Sequence, residues 1–348
     1  MRADEYSNIG RLNPDSPSLS VIVPVYNGSR TLERCLSALA ASTFRDFETL
    51  VVDDGSSDAS AAIAQSFGVR LIRLKRNSGP AAARNAGVAA SSAPLLFFLD
   101  ADVVIPPSFL ERAMETLGGR PEFSGLFCSY CRGTALNDTC SRHKNLLHHW
   151  THQTASPEAV TFCGGFGLLR RAAFLEVGGF DPRRRFLEDV DLGYRLHRAG
   201  HRILLAKDLQ ATHAKAYTLA SLLRSDVFER AAPWTRLMLT HRIFRNDLNT
   251  RVHNVLSVIA ACLMPLSIVL DPRLRVAAVL AAMFLWLNRS FLRLGLREYG
   301  FVFAVRSAGL CWLSYIASAA GACLGAGAWL RQRYSSGARG LLAPSSGS

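Results

Sequence analysis

The stretch FETLVVDDGSSD at residues 47–58 joins an apolar run to an acidic turn. The apolar part is short and ends in two adjacent valines, which is typical of a strand buried on both faces of a sheet. Asp53 and Asp54 follow directly, and the residues from Gly55 onward indicate a turn in which Ser57 or Asp58 caps the next helix. The stretch therefore predicts a strand, an acidic turn and a helix in succession.

The same alternation extends to both sides of this stretch. Apolar runs predict strands at 19–25, 69–74, 94–99, 163–169 and 202–206, and apolar residues at helical spacing predict helices over 31–42, 59–67, 80–90, 108–117, 171–177, 188–199 and 221–239. Repeated alternation of strand and helix is typical of a doubly wound α/β fold with a mainly parallel sheet. Ligands bind such sheets beyond the carboxyl ends of the strands, where Asp53-Asp54 and Asp100-Ala101-Asp102 both fall.

The composition limits the classes of protein to consider. Of 348 residues, 40 are Lys or Arg and 27 are Asp or Glu, which gives a formal net charge of +13, and 49% are hydrophobic. So apolar a chain is neither intrinsically disordered nor collagen-like. The positive charge indicates an anionic partner. The net charge alone does not distinguish among nucleic acid, a nucleotide phosphate and anionic lipid.

The last quarter of the chain combines arginine with apolar runs. Residues 252–348 contain nine arginines and two acidic residues, so more than half of the net charge lies in the most apolar part of the sequence. Transmembrane helices are predicted there at 252–270, 274–287 and 310–330. This distribution favours a membrane as partner over nucleic acid. A buried helical core domain is the alternative interpretation.

Two groups of arginines bear on the membrane topology. Arg289, Arg293 and Arg297 share one face of a predicted helix, the pattern of a helix that lies in the membrane interface. Three spans would place the arginines beyond residue 330 outside, against the positive-inside tendency, whereas two spans would place them inside.

These patterns predict four segments: a disordered tail at 1–18, an α/β domain at 19–250, membrane-anchoring transmembrane and interfacial helices at 251–333, and a disordered tail at 334–348. The first 18 residues contain no apolar signal-peptide core. We therefore expect the α/β domain to remain in the cytoplasm.

Clustered carboxylates are the first candidates for chemistry. Asp100 and Asp102 follow a buried strand, and hard oxygen ligands at such a strand end suit Mg²⁺ or Mn²⁺. Asp53 and Asp54 can accept hydrogen bonds from a nucleobase or ribose. The acidic start of the helix at 188–199 is explained either by the helix dipole or by a catalytic role.

Cysteines and histidines give a weaker signal. The eight cysteines are scattered and do not resemble a secreted disulfide framework. Cys128, Cys131, Cys140 and His143 have a spacing that zinc tolerates, but no second Cys or His pair completes a usual zinc ribbon. The histidines at 148, 149 and 152 share a predicted helix, where they either line a pocket or form a polar face.

Six motifs occur in one order along the chain: VIVPVYNG at 21–28, VVDDGSSD at 51–58, NSGPAAARNAG at 77–87, LDAD at 99–102, GGFD at 178–181 and EDVDLGYRLHRAG at 188–200. Together they resemble the family 2 glycosyltransferases, which have the GT-A fold, over residues 19–215. The resemblance implies an inverting, hexosyltransferase-like enzyme that transfers a sugar from a nucleotide-sugar donor, assisted by a divalent cation, Mg²⁺ or Mn²⁺.

The resemblance also implies roles for single residues. The donor would be bound by Pro24, Tyr26, Asp53, Asp54, Gly79, Arg84 and Asp100. Asp102 would be the principal metal ligand, with Asp100 and His213 able to approach the metal. Asp189 matches the catalytic base, and Glu188 and His149 would lie on the acceptor side.

The apolar helices after residue 250 resemble a membrane-attached branch of the family, whose acceptor is often lipid-linked. This implies a bacterial inner or plasma membrane, a lipid-linked or polysaccharide acceptor and a role in cell-envelope glycan synthesis. A Rossmann dinucleotide enzyme would need G-x-G-x-x-G after the first strand, which VPVYNGSR lacks. A nucleic-acid-binding protein would carry its charge on a soluble surface. An inactive membrane scaffold or a nucleotide-binding protein is the remaining alternative, and intact Asp102 and Asp189 argue against it.

Overall fold

The computed structural model describes residues 17–134, 136–244, 248–271 and 273–341. The chain forms two compact units that divide between Ala216 and Tyr217. This division lies upstream of the boundary predicted at residue 250, because the helices between 219 and 241 pack within the second unit. Most of the predicted tail at 1–18 lies outside the described residues, and helix continues to Leu341 across the start of the predicted tail at 334–348.

The first unit alternates strands and helices. Its strands are β1 Leu19–Val25, β2 Phe47–Asp53, β3 Arg70–Arg73, β4 Leu95–Leu99, β5 Val103–Val104, β6 Gly125–Tyr130, β7 Glu158–Ala159, β8 Phe166–Arg170 and β9 Ile203–His213. Its helices are α1 Ser29–Ala40, α2 Ser60–Ser66, α3 Pro80–Ala89, α4 Phe109–Gly118, α5 Thr139–Thr154, α6 Arg171–Glu176 and α7 Glu188–Arg198.

One mixed sheet runs through this unit in the order β3-β2-β1-β4-β8-β6-β9-β5, with β7 paired to β9. The α/β fold class is confirmed, and the first four strands are parallel. Beyond β4 the sheet is mixed, because β8 runs antiparallel to both of its neighbours. The predicted strand at 202–206 is longer in the structure, since a bulge opposite Cys128 and Ser129 lets β9 continue to His213.

Helices cover both faces of the sheet at β4. Successive residues of a strand point to opposite faces, so Phe97 and Phe98 pack in different layers. The Phe97 ring lies 5.9 Å from that of Phe109 in α4, and the Phe98 ring lies 5.6 Å from that of Phe174 in α6. Both phenylalanines are fully buried. The strand that carries Asp100 and Asp102 at its carboxyl end is therefore fixed from both sides.

The second unit is helical. It contains α8 Leu219–Arg224, a π-helix at Ser225–Ala231, α9 Ala232–His241, a 3₁₀ turn at Leu248–Thr250, α10 Val252–Leu270, α11 Arg275–Leu287, α12 Arg289–Tyr299 and α13 Phe301–Leu341. The single helix predicted at 221–239 is interrupted by the π-helix, and the span predicted at 310–330 is the middle of α13. Among the described residues, α10 and α13 are long and apolar enough to cross a membrane, and α11 and α12 form a pair bent by 67°.

Candidate active site

Two loops meet at the carboxyl ends of β1 and β2. The backbone N–H of Asn27 donates to Ser56 Oγ at 2.9 Å, and that of Ser29 donates to Asp58 Oδ2 at 3.0 Å. Asn27 has a left-handed backbone, with φ of 50°. Tyr26 is half exposed beside these contacts, and Pro24 is partly buried in β1. The loops thus form a rigid edge with one accessible aromatic ring.

Asp53 and Asp54, which were predicted to bind the nucleotide-sugar donor, are buried and accept hydrogen bonds from other residues of the protein. Asp53 accepts from the Ser56 N–H at 2.8 Å and from Arg73 Nε at 3.1 Å. The two carboxylate oxygens of Asp54 accept from the N–H groups of Ser78 and Gly79, each at 2.8 Å. Asp54 therefore orders the turn before α3, where Gly79 has φ of 92°.

Arg84 of α3 joins two distant acidic segments. Its Nη1 donates to Glu188 Oε1 at 2.6 Å, and its Nη2 donates to Asp100 Oδ1 at 2.7 Å. Only 4% of the arginine is exposed. The structure thus brings three predicted site residues together, and it holds Arg84 between carboxylates instead of at an open surface. The pairing of Arg84 with Glu188, 104 residues away, was not predicted from the sequence.

Charges in this cluster shift one another's protonation. Burial raises the pKa of Glu188 to about 7, with Asp189 acting in the same direction and Arg84 opposing. Burial also raises the pKa of Asp100, again against Arg84. Although burial alone would lower the pKa of Arg84, Asp100 and Glu188 raise it. Arg84 therefore stays charged while its carboxylate partners are costly to ionise.

Asp189 lies next to this cluster, at the start of α7. Its Oδ2 accepts from the Gly164 N–H at 3.0 Å, and its Oδ1 accepts from the Val190 N–H at 2.8 Å. A Cβ at Gly164 would lie 3.1 Å from Arg84 Cζ and 3.3 Å from Asp189 Cβ. A larger residue would require these two side chains to shift by a few tenths of an ångström, because the backbone passes between them. The Gly164-Gly165 pair before β8 is the feature of the sequence from which this close approach could have been inferred.

Asp102 and His213 face each other across β5 and β9. Asp102 Oδ2 lies 3.7 Å from His213 Nε2, and the backbone N–H of Ala214 donates to the Asp102 carbonyl at 2.8 Å. Burial alone would raise the pKa of Asp102, but His213 and Lys215 lower it. The carboxylate thus stays ionised beside an imidazole.

These two side chains fit a divalent cation as a partial ligand set. A carboxylate and an imidazole suit Mn²⁺, and carboxylate oxygens suit Mg²⁺. The described residues contain no group of three or more His, Cys, Asp or Glu side chains arranged to hold a metal. Other ligands would have to come from substrate oxygens or water, as is usual where Mg²⁺ meets phosphates. A Cβ at Gly165 would lie 2.9 Å from Asp100 Oδ2, so glycine leaves room beside that oxygen.

His149, which the resemblance places on the acceptor side, lies in α5. It is buried, and its Nδ1 lies 2.7 Å from the carbonyl oxygen of Tyr130. The neighbouring His148 and His152 instead stack on the Tyr130 ring, at centroid distances of 5.5 and 5.9 Å. Tyr130 also lies 4.9 Å from the His213 ring. Sequence reasoning missed Tyr130, because one tyrosine at a strand end carries no distinctive pattern.

The cysteines at 128–140 lie on different elements, with Cys128 in β6, Cys131 directly after it and Cys140 in α5. Cys128 is buried in β6, and Cys131 Sγ lies 3.3 Å from Thr212 Oγ1. They take part in no metal-binding group within the described ranges.

The comparison with known families matches the region that carries this geometry. Residues 20–178 match the family model described as Glycosyl transferase family 2. Over these residues the chain has a family 2 glycosyltransferase domain. Validoxylamine A glucosyltransferase of Streptomyces hygroscopicus subsp. jinggangensis is 31% identical over 265 residues, which cover 62% of this chain and 61% of that protein. The chain thus spans about three fifths of this curated relative.

Solved structures share the fold of this glycosyltransferase domain. The mannosyltransferase PcManGT from Pyrobaculum calidifontis, in complex with GDP-Man and Mn²⁺, has a TM-score of 0.54 at 17% identity and covers 89% of this chain and 88% of its own. S. aureus TarS 1-349 in complex with UDP-GlcNAc has a TM-score of 0.50 at 17% identity, covering 86% and 90%. These likenesses show a GT-A fold.

The raised pKa of Glu188 predicts a pH dependence of stability. The ordinary pKa of the group is 4.5 and its folded pKa is about 7, so the unfolded chain loses this proton first as pH rises. The contribution of Glu188 to the free energy of unfolding is fully present below pH 4.5 and is lost as pH rises through about 7. Glu188→Gln should remove this loss.

Thermal unfolding of the full chain in detergent, measured at several pH values, tests this. The melting temperature of Glu188→Gln relative to wild type should increase between about pH 5 and pH 8. Glu33→Gln, an exposed glutamate on α1, is the matched control and should show a constant difference. A constant difference for Glu188→Gln as well would contradict the assignment.

Proposed function

We propose that this protein is an inverting glycosyltransferase that moves a sugar from a nucleotide-sugar donor to a lipid-linked or polysaccharide acceptor at a membrane. The observation that carries the proposal is the Asp189 carboxylate, which is held by two backbone N–H groups beside the Arg84, Asp100 and Glu188 cluster. This geometry lies at the carboxyl edge of the sheet, where ligands bind α/β domains.

Asp189 has the properties of a general base. It is partly exposed, and its two hydrogen bonds fix the carboxylate while each oxygen retains a lone pair. In the proposed reaction Asp189 takes the proton of the acceptor hydroxyl. The hydroxyl oxygen then bonds to the anomeric carbon of the donor as the bond from that carbon to the diphosphate oxygen breaks, so the nucleoside diphosphate leaves with the electron pair.

Arg84 and its partners position this carboxylate. Glu188 precedes Asp189 in α7 and is anchored through Arg84 to Asp100. Because the arginine is buried, a shift of α3 or of the end of β4 would move the start of α7. We therefore treat Arg84 and Glu188 as positioning residues for the base.

The donor side would be formed by the edge around Tyr26 and by the end of β4. The structurally similar PcManGT and TarS structures contain GDP-Man and UDP-GlcNAc, both nucleoside diphosphate sugars, which supports a donor of this class here. Asp102 and His213 would hold a divalent cation, with Asp100 Oδ2 beside them. Such a cation, when bound, stabilises the charge on the leaving diphosphate.

Asp189→Asn should abolish transfer while donor binding remains. The substitution keeps the shape of the side chain but removes the proton acceptor, so we expect a loss of at least about 100-fold in turnover. The assay follows nucleoside diphosphate release and nucleotide-sugar affinity in parallel. Asp208→Asn, at an exposed aspartate in β9, is the matched control. Full activity of Asp189→Asn would refute the base, and an inactive wild type that still binds donor would favour the scaffold alternative.

Asp102→Asn should remove the effect of a cation on donor binding. Addition of Mn²⁺ should strengthen nucleotide-sugar binding to the wild type, and the variant should lose at least about tenfold of that gain because a ligating oxygen becomes an amide. Calorimetric titration with and without Mn²⁺ measures the difference. Equal Mn²⁺ dependence in the variant and in the wild type would contradict a cation at Asp102, whatever the activity.

The helical unit supports attachment to a membrane through an even number of crossings. Gly321 and Gly325 of α13 face the π-helix and α9: a Cβ at Gly321 would lie 2.7 Å from the Val227 carbonyl oxygen, and one at Gly325 would meet the Ala232 carbonyl. Further along, Arg236 Nη2 donates to Gln332 Oε1 at 2.7 Å.

This packing bears on sidedness because residues 225–236 precede the first candidate span, α10. They include several charged side chains, which makes them unsuited to the hydrocarbon core. The end of α13 would then lie on the same side of the membrane as the start of α10. Two crossings satisfy this condition and place Arg331 and Arg333 on the side of the membrane where Lys and Arg are normally enriched. We place that side in the bacterial cytoplasm.

Reporter fusions test this topology. Green fluorescent protein fused after Ser348 should fluoresce in bacterial cells, and alkaline phosphatase at the same position should be inactive, because both would remain in the cytoplasm. The same reporters fused after Leu274, in the turn between α10 and α11, should give the opposite pair of results. Active phosphatase after Ser348 would contradict two crossings.

A further inference from the structure

We propose that the exposed face of α12 binds the phosphate headgroups of anionic phospholipids. The inference rests on the membrane attachment proposed above and adds the chemistry of the lipid that this helix selects. The face is formed by Arg289, Arg293 and Arg297, which we call the arginine stripe. All three side chains are exposed and lie four residues apart.

The opposite face of α12 fixes the orientation of the arginine stripe. Phe291 and Gly295 are buried. At the start of the helix Asn288 Nδ2 donates to Ser257 Oγ of α10 at 3.0 Å, and Tyr315 Oη of α13 donates to Asn288 Oδ1 at 3.0 Å. Three apolar segments are thus joined at one buried asparagine. The arginine stripe cannot turn inward without breaking these contacts.

Its length and charge place α12 at the boundary of a membrane. Eleven residues of helix extend about 16 Å, roughly half of a hydrocarbon core. The 67° bend takes α12 away from the axis of α11. Three exposed arginines in the hydrocarbon would be costly, whereas they are stable at the level of the headgroups.

The residues beside the arginine stripe are those of an interfacial helix. The Arg289 guanidinium lies 4.3 Å from the Trp286 ring, and Trp286 is 60% exposed. Leu296, also on the outer side, is 45% exposed. A tryptophan and a leucine that point outward beside cations suit the boundary between headgroups and acyl chains.

The charge of the region specifies an anionic partner. Glu298 is the single acidic residue of α12, against three arginines. A zwitterionic lipid surface offers such a stripe little net attraction, whereas each arginine near an anionic surface contributes about fivefold in affinity. Charge complementarity therefore favours phosphatidylglycerol-like headgroups.

Tryptophan quenching by brominated lipid tests the proposal on the full chain. The protein is reconstituted in vesicles of phosphatidylcholine mixed with phosphatidylglycerol, with the bromine on one lipid or the other, and the Trp286→Phe variant isolates the signal of Trp286. We expect phosphatidylglycerol to be enriched at Trp286 by at least about fivefold over the bulk mixture and the enrichment to fall at high salt.

Two charge-matched variants locate the effect. Replacement of the arginine stripe by Arg289→Gln, Arg293→Gln and Arg297→Gln should return the lipids at Trp286 to the bulk ratio. The control, Arg34→Gln, Arg120→Gln and Arg198→Gln, removes the same charge from exposed sites of the first unit and should keep the enrichment.

Three outcomes would overturn the proposal. Equal quenching by both brominated lipids in the wild type would show that Trp286 has no preference for phosphatidylglycerol. An equal loss of phosphatidylglycerol enrichment in the two variants would assign the preference to the net charge of the protein. A chain that stays with neither vesicle would overturn membrane attachment as well. If the wild type remains in the vesicles and binds nucleotide sugar, either of the first two outcomes overturns the role of the arginine stripe alone.

Discussion

The buried guanidinium of Arg84 is the interaction on which the site depends. It bonds Asp100 after β4 and Glu188 in α7, and so ties two distant segments of the sequence to α3. Removing one partner of a buried ion pair leaves a charge without compensation, which is far more costly than losing an exposed pair. Asp189 is next to Glu188 in the sequence and Asp102 is two residues from Asp100, so the positions of both depend on the carboxylates that Arg84 holds.

Backbone N–H groups hold the carboxylates of the site in position as much as side chains do. Asp54 accepts from two consecutive N–H groups before α3, and Asp189 accepts from Gly164 and Val190. Leu187, with φ of 56°, adopts a left-handed conformation just before α7 begins. Such strained residues persist where the surrounding contacts determine them, and here they set the direction in which Asp189 emerges.

Local patterns explain what could be predicted from the sequence. The strands β1, β2 and β4 are apolar runs, and β2 and β4 lead into acidic turns, so local sequence patterns are enough to predict them. The ion pair of Arg84 and Glu188 joins residues 104 positions apart, so no spacing rule reveals it. A helix with several histidines does not show which of them is buried, as His149 is. The π-helix at 225–231, which packs on α13, falls inside a stretch whose apolar spacing predicts one ordinary helix.

The close approach of α13 to α9 also affects how copies of this protein can meet. Gly321 and Gly325 have the four-residue spacing that lets two apolar helices pair tightly across a bilayer. In this chain that notch is filled by the π-helix and α9 of the same molecule. Self-association through α13 would therefore use another side of the helix, since the small-residue motif forms a helix–helix contact within one molecule.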